Sequence, residues 1–372
     1  MINSKKNFTT FKKNSKFFDT NLIKAMYILM AFSTFLVYSA TRIVYSTYYL
    51  KKEIMWIVLG TIIFIIISNI NYKILFKYSK IFYYLMLVSL IGVYVIGHSS
   101  KGAARWISIF GFKLQPSEFA KILILIAISE MICQKFPLGI KNFKDVIRLF
   151  LPIALPIFLI LKQPDLGTAL IILFMFLFIV FIYELELKKF FILIVFLICL
   201  APLFFMFLKG YQVARLLVFL NPQKFSHGQG WNIIQSKIAV GSGGLIGKGI
   251  FHGMQTKLKF LPEAHTDFIF AVLSEELGFI GILVVLSLFF YIIISLIKYG
   301  NKVEDIFGKL LLFGTAILIF CHTFINIGMV IGLLPVTGVP LPFLSYGGSS
   351  FLLMFILLGI CQSVIINNKQ DF

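Results

Sequence analysis

The sequence predicts an all-α polytopic membrane protein with about ten transmembrane helices. The chain has 372 residues, 59% of them hydrophobic, and its mean hydropathy is +0.96. Only 13% of its residues are charged, whereas soluble domains contain about a quarter. Apolar runs of about 18 or more residues recur, and a run of that length spans a bilayer as a helix. The runs lack the alternating pattern of an outer-membrane barrel.

Each predicted span is an apolar run bounded by charged or turn-forming residues. In chain order the spans are 22–41, 54–70, 81–98, 117–133, 149–162, 166–183, 190–208, 268–297, 310–333 and 349–366. Gln115-Pro116-Ser117 is the start signal of the fourth span, since Pro suits a first helical turn and Ser is a good cap. An even number of spans places both termini on one side of the membrane.

The net charge of +19 is placed in short loops, and this placement predicts the orientation. The Lys-rich N-terminal tail and the basic loops around Lys73–Lys80, Lys135–Arg148, Lys188 and Lys298–Lys309 share one side. Basic short loops mark the cytoplasmic face. We therefore expect contact with anionic membrane lipids rather than with nucleic acid. The predicted protein lies in the cytoplasmic (inner) membrane with both termini in the cytoplasm.

This orientation divides the chain into predicted regions. Residues 1–21 form a cytoplasmic basic tail, 22–366 the transmembrane domain and 367–372 a cytoplasmic C-terminal tail. A large extracytoplasmic loop, 209–267, joins helices 7 and 8. The polar chemistry falls in this loop and in four other predicted outer segments: 42–53, 99–116, 163–165 and 334–348. The inner loops are short and plain, which disfavours an enzyme that takes ATP or a nucleotide sugar from the cytosol.

The start of the fourth span carries the first candidate site. Arg105 lies beside Trp106, so it is either an interfacial anchor or a polar group of the site. Glu118 and Lys121 are three residues apart and share a helix face. A charged pair inside a span is costly, so it either lines a cavity or forms a self-neutralising pair that locks helices together.

Three further outer residues are candidates for the same cavity. Asp165 begins the sixth span, where helix capping is the alternative role. Lys248 lies in a glycine-rich run that does not match a phosphate loop, but its charge could attract a lipid-linked phosphate. Ser345 lies in a proline-stiffened segment, which either offers hydroxyls to a cavity or only connects two helices.

Asp267 is the candidate catalytic residue. Together with Thr266 it is expected to begin the eighth span, and Glu275 and Glu276 lie further along the same helix. An acid at a helix start often only complements the helix dipole. Three acids near one end of a span are nevertheless expensive. A carboxylate partly withdrawn from water is also a better general base near neutral pH.

Several long motifs, in fixed order, resemble one family. They are GAARWI, QPSEFAK, QPDLGTA, IIQSKIAVGSGGLIGKG, LPEAHTDFIF, EELGFIG and NIGMVIGLLPVTGVPLPFLSYGGSS. From about residue 22 onward the chain is similar to the SEDS (shape, elongation, division and sporulation) proteins, and to RodA more than to FtsW.

The resemblance implies a peptidoglycan glycosyltransferase with ten membrane helices. Such proteins polymerise lipid II into β-1,4 glycan strands at the outer face of the cytoplasmic membrane, together with a class B penicillin-binding protein. Asp267 matches the essential aspartate of the family, Glu118 and Lys121 match cavity residues, and Arg105 and Asp165 match nearby polar sites. The resemblance also suggests a divalent cation, Mg²⁺ or Mn²⁺, for which Asp267 and Glu118 are possible ligands.

Two other functions fit parts of the pattern. A flippase or transporter for lipid-linked precursors would also need buried charges and outer polar loops, but it requires polar groups through the depth of the membrane. A noncatalytic scaffold for cell-wall enzymes would not require Asp267. Within the family, a division-type polymerase is the alternative to the elongation type.

Overall fold

A computed structural model describes residues 18–96, 98–100, 103–109, 112–183, 185, 187–195, 210–225 and 228–368. The longer helices are α1 Thr20–Tyr45, α2 Tyr48–Asn69, α4 Ser79–Ile96, α5 Pro116–Lys135, α6 Phe143–Lys162, α7 Leu166–Ile182, α11 Ile269–Lys302, α12 Ile306–Val330 and α13 Gly348–Asn368. The shorter helices are α3 Lys73–Lys77, α8 Gly210–Leu220, α9 Gln229–Ser242 and α10 Met254–Lys257. Residues 187–195 are also helical.

The predicted fold class is confirmed. Nine of the ten predicted spans coincide with the longer helices, within a few residues at each end. The seventh, 190–208, lies outside the described residues from residue 196 onward. Among the described helices, α1, α11, α12 and α13 are long and apolar enough to cross a membrane. The predicted loop 209–267 is largely structured, since it contains α8, a 3-10 helix at Pro222–Phe225, α9 and α10.

A small antiparallel sheet follows α4, and the sequence patterns did not predict it. Its strands are β1 His98–Ser100, β2 Ala103–Ile109 and β3 Phe112–Leu114, in the order β1-β2-β3. Ser100 pairs with Ala103, and Ile107 pairs with Leu114. Two of the three strands, β1 and β3, have only three residues, which is too short for a visible alternation of apolar and polar side chains. The sheet carries Arg105 to the polar end of the bundle.

Helix α12 lies at the centre of the packing. It contacts α5, α7, α9, α11 and α13, while α2 packs on α13 and α1 packs on α11. Almost all side chains of α12 are buried, including the polar residues His322 and Asn326. Polar groups at such depth need hydrogen-bond partners. Their partners lie at the end of the bundle where α5, α7, α11 and α13 begin, which we call the polar end.

Candidate active site

One irregular segment, Thr337-Gly338-Val339-Pro340, connects the candidate residues at the polar end. We call it the 337–340 segment. Its Gly338 lies against Asp267, because a Cβ atom added to Gly338 would be 3.4 Å from Oδ2 of Asp267. Helix α7 lies against Thr337 and Val339, and side chains of α12 bond to the carbonyls of Val339 and Pro340. The segment therefore links parts of the chain that are far apart in sequence.

Asp267 lies in a turn and not in the helix that it was expected to begin. Helix α11 starts at Ile269 with Phe268 as its N-cap, so Asp267 is two residues earlier. Asn326 holds this turn, since its Nδ2 donates to Asp267 O at 3.0 Å and to Val339 O at 2.7 Å. The partly buried carboxylate is thus carried by a fixed backbone, as a catalytic group requires.

Glu118 and Lys121 form the ion pair that their spacing predicted. Lys121 Nζ lies 2.7 Å from Glu118 Oε1, and the lysine side chain has no exposed surface. The ammonium also lies 2.9 Å from His322 Nε2 on α12. The pair therefore joins α5 to α12, which fits a helix-locking role. Direct contact of Lys121 with a substrate would require the surrounding groups to move.

Asp165 caps a helix and also holds two neighbouring side chains. Its Oδ1 accepts a hydrogen bond from Thr168 N at 3.2 Å, which caps α7. Its Oδ2 accepts from Gln115 Nε2 at 2.9 Å and from Ser117 Oγ at 2.8 Å. Asp165 thus ties the start of α7 to the start of α5. Two residues further on, Gly167 of α7 lies directly against Thr337 and Val339.

Arg105 reaches from β2 to the end of α6. Its Nε donates to Gln163 O at 2.9 Å, and its Nη2 donates to Pro164 O. A cation at a helix C-terminus satisfies carbonyl groups that lack an intrahelical partner. The guanidinium has five N–H groups, so these two bonds leave part of it for another acceptor. The predicted interfacial and site roles are therefore compatible.

Ser345 uses its hydroxyl within its own turn. The Oγ atom accepts a hydrogen bond from Leu341 N at 2.7 Å, and the side chain is buried. The next residue, Tyr346, donates its backbone N–H to His265 O at 2.9 Å, so this turn supports the turn that carries Asp267. Burial raises the pKa of Tyr346 to about 12, with smaller contributions from neighbouring tyrosines and Glu53. Its phenol therefore stays protonated at neutral pH.

Lys248 is engaged by an acid on α11. Its Nζ lies 2.7 Å from Glu275 Oε1 and 2.7 Å from Ser242 Oγ. The amides of Met254 and Gln255 also donate to the Glu275 carboxylate. These contacts give the buried acid of Glu275 the partners that its position demands. The predicted role of Lys248 toward a lipid-linked phosphate stays a prediction.

Helix α11 is interrupted at Gly278, and residues 243–249 fill the interruption. Gly278 has φ 63° and ψ −161°, a conformation that is essentially restricted to glycine. Phe279 N and Ile280 N donate to the carbonyls of 244 and 245, and the amides of 248 and 249 donate to the carbonyls of 275 and 276. The backbones touch, since a Cβ atom on Gly247 would lie 2.2 Å from the carbonyl oxygen of residue 276. This contact explains Gly243 and Gly247, since a Cβ atom on either would collide with the backbone of α11.

Sequence reasoning missed three buried polar residues of this region. His322 and Asn326 are four residues apart inside the apolar span 310–333, so they share one helix face. Ionisable or amide side chains within a span are a functional signal in themselves. The third is Glu53 on α2, whose carboxylate contacts the Ser33 hydroxyl, which in turn lies 2.8 Å from Leu344 O.

A separate apolar groove lies between α11 and α12. It has a volume of about 610 Å³, and its lining includes Phe289, Phe290, Phe320 and Phe324. The polar side chains of its lining are Ser287 and Thr323. This groove has no group that could act as a base or stabilise a leaving anion. The acids and cations of the polar end remain the candidate active site.

The chain matches the family profile named FTSW_RODA_SPOVE and described as "Cell cycle protein" over residues 14–370. It is 36% identical to "Peptidoglycan glycosyltransferase MrdB" of Escherichia coli strain K12, covering 95% of this chain and 94% of that protein. It is 35% identical to "Probable peptidoglycan glycosyltransferase FtsW" of Trichlorobacter lovleyi, covering 93% of each.

Solved structures are similar over nearly the whole chain. A structure reported as "Structural coordination of polymerization and crosslinking by a peptidoglycan synthase complex" matches with a TM-score of 0.80 and 27% identity, covering 94% of this chain and 98% of that one. The crystal structure of the rod shape determining protein RodA of Thermus thermophilus matches with a TM-score of 0.69 and 25% identity, covering 94% and 97%.

Fold, site and relatives together define a class of protein: a multi-pass membrane glycosyltransferase with its candidate catalytic groups at one end of a helical bundle. Within this class, the chain belongs to the FtsW/RodA/SpoVE family, the SEDS proteins.

Proposed function

We propose that this protein polymerises lipid II into β-1,4 glycan strands at the outer face of the cytoplasmic membrane during cell elongation. The observation that carries the proposal is the position of Asp267. Its carboxylate lies beside Gly338 of the 337–340 segment, and its backbone is held by Asn326 on α12. The identity to a named peptidoglycan glycosyltransferase, 36% over 95% of the chain, supports the reaction class.

The chemistry requires one base and one charge-stabilising group. The donor is α-linked to a lipid pyrophosphate and the product is β-linked, so the reaction is a single inverting displacement. Asp267 accepts the proton of the acceptor 4-hydroxyl. The oxygen of this hydroxyl forms a bond to C1 of the donor. The bond from C1 to the pyrophosphate oxygen breaks, and undecaprenyl pyrophosphate leaves. General base catalysis of this kind is typically worth about 10²–10⁴-fold.

The departing pyrophosphate needs positive charge near it. Arg105 is a suitable group, because it is only partly buried and because two carbonyls hold its guanidinium in place. Charge-assisted hydrogen bonds from a prepositioned guanidinium stabilise phosphate oxygens well. Lys121 is fully buried beside Glu118, so we assign it an indirect role.

A divalent cation finds no ready-made set of ligands in the described residues. No group of three or more His, Cys, Asp or Glu side chains there could hold a metal ion. Of the two predicted ligands, Glu118 is bound by Lys121. The use of Mg²⁺ or Mn²⁺ therefore stays a prediction.

A class B penicillin-binding protein is the proposed partner. One of the similar solved structures comes from a peptidoglycan synthase complex that coordinates polymerisation and crosslinking. A polymerase that makes uncrosslinked strands needs a transpeptidase beside it, and this chemistry supports such a pairing.

A flippase is the alternative function, and the buried side chains of α12 disfavour it. A polar cavity of about 460 Å³ does lie at the predicted inner end, where its lining includes Lys73, Glu304 and Asp305. Between Asp305 and His322, however, the buried side chains of α12 are apolar apart from Thr315 and Cys321. The Thr315 hydroxyl bonds to a carbonyl of its own helix. A polar substrate would find few groups to replace its water along this path.

We expect the purified protein to convert lipid II into glycan strands and to release undecaprenyl pyrophosphate, with a higher rate when its penicillin-binding partner is present. The products can be separated by gel electrophoresis and quantified. The assay in detergent distinguishes the two functions, because a flippase forms no new glycosidic bond. Folded protein that yields no strands even with its partner would refute the proposed function.

The proposed orientation predicts the labelling of introduced cysteines. In a background with the four native cysteines replaced by alanine, Leu258→Cys should react with a membrane-impermeant maleimide on intact cells, because Leu258 is exposed in the predicted outer loop. The control Asn301→Cys, exposed near the predicted inner end of α11, should react only after permeabilisation. The reverse pattern would overturn the orientation.

A further inference from the structure

His322 makes two hydrogen bonds from the centre of the bundle. It lies on α12 and is fully buried. Its Nε2 is 2.9 Å from Lys121 Nζ, and its Nδ1 is 3.1 Å from Pro340 O. The proposed roles of Asp267 as base and Arg105 as cation do not account for an imidazole at this position.

Counting hydrogens assigns the state of the imidazole. A lysine ammonium can only donate, so Nε2 of His322 must accept. The carbonyl oxygen of Pro340 can only accept, so Nδ1 must carry the hydrogen. The ring is therefore a neutral imidazole that accepts a hydrogen bond from Lys121 and donates one to Pro340. Both of its nitrogens are used.

The two bonds extend the Glu118–Lys121 pair to the segment that contacts Asp267. Pro340 is two residues from Gly338, which lies against the Asp267 carboxylate. One turn further along α12, Asn326 donates to both Val339 O and Asp267 O. One face of α12 thus holds the 337–340 segment at two adjacent carbonyls, and the buried ion pair holds His322 in turn.

We propose that His322 is a positioning residue of the active site, and this proposal rests on the proposed function. It acts through the 337–340 segment, transmitting the fixed geometry of Glu118 and Lys121 to the surface against which Asp267 lies. Both nitrogens of the buried His322 ring are satisfied in this arrangement, so another orientation of the ring would leave a polar group without a partner. This role explains why a lysine with no exposed surface can matter for a reaction that takes place beside Asp267.

Three variants test the proposal. His322→Gln can still accept from Lys121 and donate to Pro340, so we expect turnover within about threefold of the unchanged protein. His322→Leu keeps similar bulk but loses both bonds, and we expect kcat to fall at least tenfold with little change in KM for lipid II, because a misplaced base slows chemistry. The matched control is Thr315→Val, a buried polar residue two turns away on α12 whose hydroxyl donates to Leu311 O of the same helix. Its turnover should be unchanged.

Turnover is expressed per amount of folded protein, measured by gel filtration and thermal unfolding in detergent. If His322→Leu does not fold, His322→Asn gives the same comparison, since its shorter amide reaches only one of the two partners. Rescue by Gln together with loss in Leu or Asn supports the proposal. Equal losses in Gln and Leu, or full turnover in Leu, overturn it. Failure of the unchanged protein to polymerise lipid II would instead refute the proposed function.

Discussion

Asp267→Asn is expected to abolish glycan polymerisation while the protein folds normally. The amide has the size of the carboxylate but cannot accept a proton from the acceptor hydroxyl, so turnover should fall by about 10²–10⁴-fold. Folding should persist, because Asn326 holds this turn through the backbone oxygen of residue 267, which the substitution leaves in place. The rate of strand formation from lipid II and the thermal unfolding midpoint measure the two effects.

The matched control is Glu263→Gln, four residues earlier in the same turn region. Glu263 is exposed, and its carboxylate oxygen lies 3.3 Å from the Thr266 hydroxyl. Its neutralisation should leave turnover within about twofold, since an exposed interaction contributes little. Strands formed at the normal rate by Asp267→Asn would exclude the residue as the base. Equal losses in both variants would indicate a general effect of acidic charge in this turn.

Gly278→Ala is expected to have the largest effect on stability. The residue holds a backbone conformation that alanine adopts only with strain of about 1–3 kcal/mol. A Cβ atom there would also lie 2.3 Å from Gly247 N, so the 243–249 segment would have to move away. The segment and α11 would then lose main-chain hydrogen bonds, each worth about 0.5–1.5 kcal/mol. We expect a lowered thermal unfolding midpoint and less folded protein.

Gly241→Ala controls for the replacement of a glycine in the same region. Gly241 lies in α9, and a Cβ atom there would meet nothing within 4 Å. Alanine is favoured over glycine in a helix by about 1 kcal/mol, so this variant should be as stable as the unchanged protein or slightly more stable. A normal midpoint for Gly278→Ala would mean that the contact between residues 243–249 and α11 is dispensable.

The interruption of α11 also accounts for the acids that sequence alone left unexplained. Glu275 is satisfied by Lys248 and by the amides of Met254 and Gln255. Glu276 accepts a hydrogen bond from Ser39 Oγ on α1 at 2.5 Å. Both acids therefore attach neighbouring segments to the first turns of α11, directly after the turn that carries Asp267. Their contacts with protein groups assign them a supporting role.

The helical fold could be predicted because membrane spans are specified locally. A run of about 18 apolar residues is sufficient to predict a spanning helix, since the backbone satisfies its own hydrogen bonds within the run. Local spacing also predicted the Glu118–Lys121 pair and, to within one residue, the start of α5, which is at Pro116 with Gln115 rather than Ser117 as its N-cap. The short strands and the helices inside 209–267 were harder to predict, because neither has a long periodic pattern.

The roles of the site residues depended on distant contacts. Sequence alone left Asp165 as a cap or a cavity group, and the structure gives it a cap plus bonds to Gln115 and Ser117. Sequence alone suggested that Lys248 meets a phosphate. In the structure its ammonium is bound by Glu275, 27 positions away. Such pairings require the chain to be folded, since no local rule relates the two partners.

By itself, the sequence determined the membrane class, the family and the choice of Asp267 as the candidate base. These follow from local hydropathy and from motifs that are readable along the chain. Only the tertiary structure decided that Asp267 lies in a turn against Gly338, and that His322 and Asn326 of α12 reach the same segment. The physical reason is that buried polar groups must find partners, and in this fold helix packing brings those partners from residues 13 to more than 200 positions away.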